Sequence, residues 1–361
     1  MRNKAAFAAT TCDICLREKT ITLKAGRAMK LNPIFSDNMV LQANKPIRIF
    51  GVGCGRVSAE IDGISGEGRF EGGEFLLEMP SHDYGGPFSL KIELDGERAV
   101  FSDVYFGDVI LMAGQSNAQH KLRSTDTPRE EYESEDMLRL FTLERIEKGE
   151  KGDFFFPEDG WIKADRDSVG LWSALGYLSG KFYQRATGHA VGVIACYQGA
   201  SMIQSWIPEG ILDGTELESP SERRSGHMRN PDHMRWNHDG QLYEFMFKKI
   251  LPYSIKAAVW YQGESNTAAP DNTVEIYKGL LSVLIRRWRE DLMDAGLPFV
   301  VVQIADFVWA KQGWAEVQQA QAEIGECVEN TVTVVSRDIC ESADIHPKNK
   351  AALAMRIAEA L

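Results

Sequence analysis

The chain has 361 residues, 44% hydrophobic and 25% charged, the ordinary mixture of a soluble globular protein of about two domains. Its 40 Lys and Arg against 52 Asp and Glu leave a net charge of −12, which excludes general binding to nucleic acid or an anionic membrane, since both need clustered cations. No stretch approaches the ~20 continuous apolar residues of a spanning helix.

Residues 1–30 have no clear period and read as an N-terminal extension. Within them Cys12 and Cys15 form a lone CxxC, without the second pair that a zinc site needs, so they read as free thiols. The six cysteines are too sparse for a disulfide framework. The basic start is followed at 5–9 by an apolar run too short for a signal peptide, which favours a cytoplasmic location.

Residues 31–103 carry short strand-like runs at 39–42, 47–50, 57–61, 75–79 and 88–94, with glycine-rich turns between them. Such spacing predicts a small β-sandwich module. From 104 to 361 the pattern alternates. Apolar strand-like runs fall at 108–113, 191–196, 257–261, 299–305 and 331–336. Helical patterns fall at 171–187, 273–292 and 314–324, and a last one opens at Pro347. In the second helix Ile276, Leu280, Leu284 and Trp288 are four apart on one face. Strands alternating with helices predict an α/β domain with a parallel sheet covered on both faces. The polar stretch 210–240 reads as loop. Its His227, His233 and His238 are too loosely spaced for a metal site and read as solvated.

Ligands of open α/β sheets bind beyond the carboxyl ends of the strands. Those ends carry Gly114-Gln115-Ser116-Asn117, then Gln198-Gly199-Ala200-Ser201, then Gln262-Gly263-Glu264-Ser265-Asn266. The last strand is followed by Arg337-Asp338 and then Asp344-Ile345-His346-Pro347. This inventory suits acyl transfer to water. A serine needs a base to take its proton, usually His, and the tetrahedral intermediate needs preorganised N–H donors. Ser116 follows a tight turn behind Gly114. The amides of Ser116 and Gly199 and the side chain of Asn266 offer three donors. His346 is placed before Pro347 at an expected helix N-terminus, whose dipole disfavours imidazolium, so a nearby carboxylate is wanted. Trp206, Trp236 and Trp309 are candidates either for stacking on a sugar ring or for packing.

These blocks resemble those of the SGNH hydrolases, and in detail the sialate O-acetylesterase family. The residues that carry the resemblance are Gly114-Gln115-Ser116-Asn117, Gly199, Trp260-Tyr261-Gln262-Gly263-Glu264-Ser265-Asn266 and Asp344-Ile345-His346-Pro347-Lys348-Asn349-Lys350. The segments 33–42 and 45–47 resemble the opening of that family's β-sandwich module. The likeness covers roughly residues 31–361.

The resemblance implies a serine esterase that removes O-acetyl groups from carbohydrate, with O-acetylated sialic acid first and plant sugars such as acetylxylan as the alternative. It implies Ser116 as nucleophile, His346 as general base, and Ser116, Gly199 and Asn266 as the oxyanion hole. Gln115, Gln262 and Glu264 are implied as substrate-binding groups, with loop ordering as the alternative for Gln262 and Glu264. No metal or organic cofactor is implied. One departure stands out: the wider superfamily has its Asp three residues before the His, and that position here is Ala343. Either Asp344 turns to His346, or Asp338 supplies the acid, or a backbone carbonyl orients the imidazole of a Ser-His dyad. The alternative of another class is a carbohydrate-binding protein that keeps the fold without the chemistry.

Overall fold

The computed structural model describes residues 29–143, 160–218, 236–268, 273–310 and 313–361. Cys12, Cys15, His227 and His233 lie outside the described residues. The first part of the chain forms β1 (Lys30–Leu31), β2 (Val40–Gln42), β3 (Ile47–Val52), β4 (Gly55–Ile61), β5 (Ile64–Phe70), β6 (Glu74–Met79), β7 (Gly85–Leu94) and β8 (Glu97–Gly114). Strands β1, β3 and β6 make one antiparallel layer, and β5, β4, β7 and the first half of β8 make another. In β4 the side chains of Val57, Ala59 and Ile61 alternate inward, as a strand with one wet face requires. The layers meet where a Cβ on Gly66 of β5 would stand 2.7 Å from Met79 Cγ on β6. The sequence reading passes over β5, which has no fully buried residue and therefore no apolar run.

The second part forms α1 (Ser116–Gln119), β9 (Glu135–Thr142), β10 (Ile162–Ala164), α2 (Ala174–Thr187), β11 (Val191–Tyr197), α3 (Gln241–Phe245), β12 (Ala257–Tyr261), α4 (Val274–Asp291), β13 (Phe299–Val302), α5 (Trp314–Cys327), β14 (Thr331–Val334) and α6 (Ala351–Glu359). The strand order is β10-β9-β11-β8-β12-β13-β14. Every neighbouring pair from β9 to β14 is parallel, and β10 is antiparallel to β9. The whole is a mixed α/β structure. Ser173 caps α2 by accepting from the Gly176 N–H, and Gly188 ends it in the left-handed conformation (φ 73°). Thr273 caps α4 in the same way from the Ile276 N–H, and α4 buries Leu280, Leu284 and Trp288. Among the described residues no helix is long and apolar enough to cross a membrane.

Strand β8 joins the two parts. Up to Tyr105 its residues alternate in burial, and from Phe106 to Gly114 every residue is buried, the pattern of a central parallel strand. The expected boundary at 103/104 therefore falls inside one continuous strand. Just past it sits Asp108, buried and accepting hydrogen bonds from Gln42 Nε2 (3.1 Å), Tyr84 OH (3.0 Å) and Tyr183 OH (2.9 Å). Asp108→Ala would leave these donors without their acceptor and should cost about 3 kcal/mol. A shift of the urea midpoint, read by fluorescence and far-UV dichroism together, measures it. A stability change within ~0.5 kcal/mol would mean that Asp108 is not a clasp between the parts.

Several strand and helix bounds differ from the sequence reading, and three bear on the site. The strands expected to run to 305 and 336 stop at Val302 and Val334. The last helix begins at Ala351 rather than Pro347. Residues 347–350 are held out of the helix by bonds of their own: the Lys348 N–H donates to Glu341, and Lys350 turns its side chain inward to Asn117. His346 thus lies well before the first turn of α6, and a helix dipole is not what acts on it.

Candidate active site

The turn after β8 is fixed by close approach. Gly114 has φ 135°, and a Cβ on it would lie 2.0 Å from the Tyr261 carbonyl oxygen, so only glycine passes here. The Gln115 N–H donates to Tyr261 O (2.9 Å) on β12, and the Gln198 N–H donates to Gly114 O (3.0 Å) from the end of β11. Ser116 then opens α1, half-buried, with both neighbouring strand ends clamped beside it.

Gly199 flanks Ser116: a Cβ on it would be 3.9 Å from Ser116 Cβ. Its N–H donates to Gln119 Oε1 (2.9 Å). Asn266 is buried; its Oδ1 accepts from the Ile203 N–H (3.0 Å) and Gln262 Nε2 (2.8 Å), and its Nδ2 donates to Gln204 Oε1 (3.1 Å).

Gln115, Gln262 and Glu264 are all buried, and the structure gives each an ordering task. Gln115 Oε1 accepts from Gln262 Nε2 (3.0 Å) and from the Gly263 and Ser265 amides (both 3.3 Å). Gln262 Nε2 also donates to Ser201 O (2.9 Å), and its Oε1 accepts from Tyr277 OH (2.9 Å). Glu264 Oε1 accepts from Asn117 Nδ2 (2.5 Å), while its Oε2 is buried with no hydrogen-bond partner. Burial raises the proton affinity of this carboxyl, against the opposing effect of the Asn117 bond. Of the two alternatives for Gln262 and Glu264, their contacts fit loop ordering.

The His346 segment reaches the Ser116 turn through Asn117, whose Nδ2 also donates to Ile345 O (3.0 Å) and whose Oδ1 accepts from Lys350 Nζ (2.7 Å). One asparagine, next to Ser116, thus ties together the residue before His346, the Glu264 loop and the start of α6. His346 is half-buried, and its pKa lies below the ordinary histidine value. Burial is the main cause; the Lys350 charge adds to it and Asp344 opposes it. Asp344 Oδ1 accepts the His346 backbone N–H (2.9 Å), which makes a local turn. No hydrogen bond joins the Ser116 hydroxyl, the His346 ring and the Asp344 carboxylate to one another. Asp338 is engaged elsewhere, in a two-point ion pair with Arg356 (both 2.7 Å).

Three side chains at the site received no role from sequence. Asn117 and Lys350 stand inside recognised blocks, but only the fold reveals that they meet. His120 follows α1, and its ring centroid is 5.7 Å from that of His346. Burial, with help from the Lys350 charge, depresses its pKa to about 4, and its buried Nδ1 has no hydrogen-bond partner. Its one sequence signal is the four-residue spacing from Ser116. Trp206 and Trp236 are core residues, whereas Trp309 is 75% exposed on the loop after β13. Among the described residues no cluster of three His, Cys, Asp or Glu side chains is arranged to hold a metal ion.

The family described as carbohydrate esterase, sialic acid-specific acetylesterase, matches residues 106–361, the region that holds every block above. The chain belongs to this family. Its relatives include the sialate O-acetylesterase of Homo sapiens, 26% identical over 308 residues, an alignment covering 76% of this chain and 57% of that protein. The Mus musculus sialate O-acetylesterase is 25% identical over 329 residues, covering 76% and 60%. The chain therefore spans less than two thirds of either mammalian family member. A crystal structure of a carbohydrate acetylesterase from Xanthomonas citri shares the fold with a TM-score of 0.76 at 25% identity, over 92% of this chain and 74% of that one.

Proposed function

We propose that the protein is a serine esterase that removes O-acetyl groups from carbohydrate, with O-acetylated sialic acid as its substrate and Ser116 as the residue that carries the acetyl group. The carrying observation is the Asn117 junction, which brings the Ser116, Glu264 and His346 segments together at the carboxyl end of the sheet. The family and the names of the mammalian relatives support the choice of sugar. The parallel order of β9, β11, β8, β12, β13 and β14 supports an SGNH-hydrolase type of domain. The two antiparallel layers before it support a sandwich module at 31–103, which in this reading contributes stability or substrate access rather than chemistry.

In this reading Ser116 Oγ attacks the acetyl carbonyl carbon while His346 accepts its proton. The tetrahedral oxyanion is held by the Ser116 and Gly199 amides and by Asn266. It collapses as the sugar oxygen leaves with the proton from His346. Water, deprotonated by His346, then attacks the acetyl-serine, and acetate departs as His346 returns that proton to Ser116 Oγ. Gln119 must turn away from the Gly199 N–H for this to occur. The exchange trades a neutral acceptor for an oxyanion, which binds the donor more strongly.

Acetate release from a panel of acetylated sialic acids and acetylated xylo-oligosaccharides tests the substrate. Preference for the sialic acids supports the reading, and preference for the xylan fragments overturns the choice of sugar. Asn266→Ala should lower kcat by ~10²-fold with KM little changed, as for loss of one oxyanion donor. A change confined to KM would make Asn266 a substrate-binding residue instead.

Asp344→Asn tests the acid. The amide oxygen can still accept the His346 N–H, so the turn survives and only the charge is lost. His346 then becomes a weaker base. We expect kcat to fall about 10-fold, and the acid limb of the pH profile to move to lower pH. A loss below about threefold would reject Asp344 as a contributing acid. A loss approaching ~10⁴-fold would put the carboxylate on the imidazole itself.

A further inference from the structure

We propose that Lys350 is a positioning residue whose ammonium, acting through Asn117, holds the His346 segment against the nucleophile turn. Lysine is almost never fully buried unless paired, yet Lys350 is 1% exposed. Its hydrogen bond goes to Asn117 Oδ1 (2.7 Å), and its Nζ lies 5.7 Å from the centre of the Tyr261 ring. An ammonium can only donate and a carboxylate can only accept. Lys350 on one side and Glu264 on the other therefore dictate which way the Asn117 amide points. The oxygen faces Lys350, so the nitrogen faces Glu264 Oε1 and Ile345 O. Ile345 is bonded directly to His346. The orientation of one amide thus sets where the base stands relative to Ser116.

The charge has a second effect. Lys350 disfavours a further positive charge on His346 and on His120. Its surroundings are Glu264 and Tyr261 from the β12 end, Cys340, Glu341 and Asp344 from the loop after β14, with Lys348 and His120 around the histidines. Its own pKa is depressed to about 8, with burial as the main cause, so it remains mostly charged at neutral pH. Lys350 and Glu264 are the opposite charges at the two ends of the amide, and their removal should act on His346 with opposite sign.

The test is the pH profile of kcat/KM for p-nitrophenyl acetate with Lys350→Met and Glu264→Gln, each checked by its melting temperature. Lys350→Met leaves the Glu264 charge unopposed, so the acid limb should move to higher pH. It also frees the amide to rotate, so kcat should fall ~10²-fold, as for a misplaced catalytic group. Glu264→Gln leaves Lys350 unopposed, and the limb should move to lower pH. Limbs that coincide with wild type, or that move in the same direction, would overturn the proposal. If Lys350→Met does not fold, the near-isosteric Glu264→Gln decides alone: a limb at lower pH supports the proposal and an unmoved limb rejects it. The inference rests on His346 as the base, and the two fail differently. Turnover retained in His346→Ala rejects the base, whereas a His346-dependent enzyme with an unmoved limb in Lys350→Met rejects the role of Lys350.

Discussion

Ser116→Ala should reduce ester hydrolysis by at least ~10⁴-fold while leaving the melting temperature nearly unchanged. The hydroxyl stands at the first residue of α1, half-buried and without a hydrogen bond to a neighbouring side chain or backbone group. The turn that presents it is held by backbone bonds among Gly114, Gln115, Tyr261 and Gln198. Losing it therefore removes the attacking atom and little packing. Steady-state kinetics on p-nitrophenyl acetate, with calorimetry on the same sample, separates the two effects. More than a tenth of the wild-type kcat in the variant would sink the assignment.

His346→Ala should cost ~10³-fold or more if the Ser116 proton passes to His346 rather than to the neighbouring His120, whose ring centroid is 5.7 Å away. The pH profile carries the same claim. The base must be neutral to accept a proton, and burial and Lys350 hold the His346 pKa below its ordinary value. The wild-type enzyme should therefore keep its activity to a pH below 6.5 and lose it as His346 becomes protonated. His120, whose pKa is pushed to about 4, must not set that limb. The limb should survive in His120→Ala and vanish with the activity in His346→Ala. An acid limb above pH 6.5 would contradict the assignment.

The elements legible in the sequence were those that carry an apolar run or an apolar stripe. The run 257–261 is buried throughout and emerges as β12 with the same bounds, and α4 follows its four-residue stripe from the Thr273 cap. Elements without an apolar run or stripe were not legible. In β5 glycine and charge replace apolar residues, and the first half of β8 alternates on a wet edge. The blocks of the site could be read because each follows a strand end. Their cross-connections could not. Asn117 to Ile345 and Lys350 to Asn117 span more than two hundred residues, and no local pattern encodes that Lys350 turns inward rather than opening a helix at Pro347. For the same reason the acid beside His346 stayed open. Only the fold commits Asp338 to Arg356 and gives Asp344 the backbone N–H of His346.

The most direct test of the account is acetate release from sialic acid O-acetylated on its glycerol side chain, measured for the wild-type chain and for Ser116→Ala at equal concentration. The account predicts steady release by the wild type and a rate at least ~10⁴-fold lower in the variant. Equal release by the two proteins, or none by a folded wild type that still hydrolyses p-nitrophenyl acetate, would contradict it.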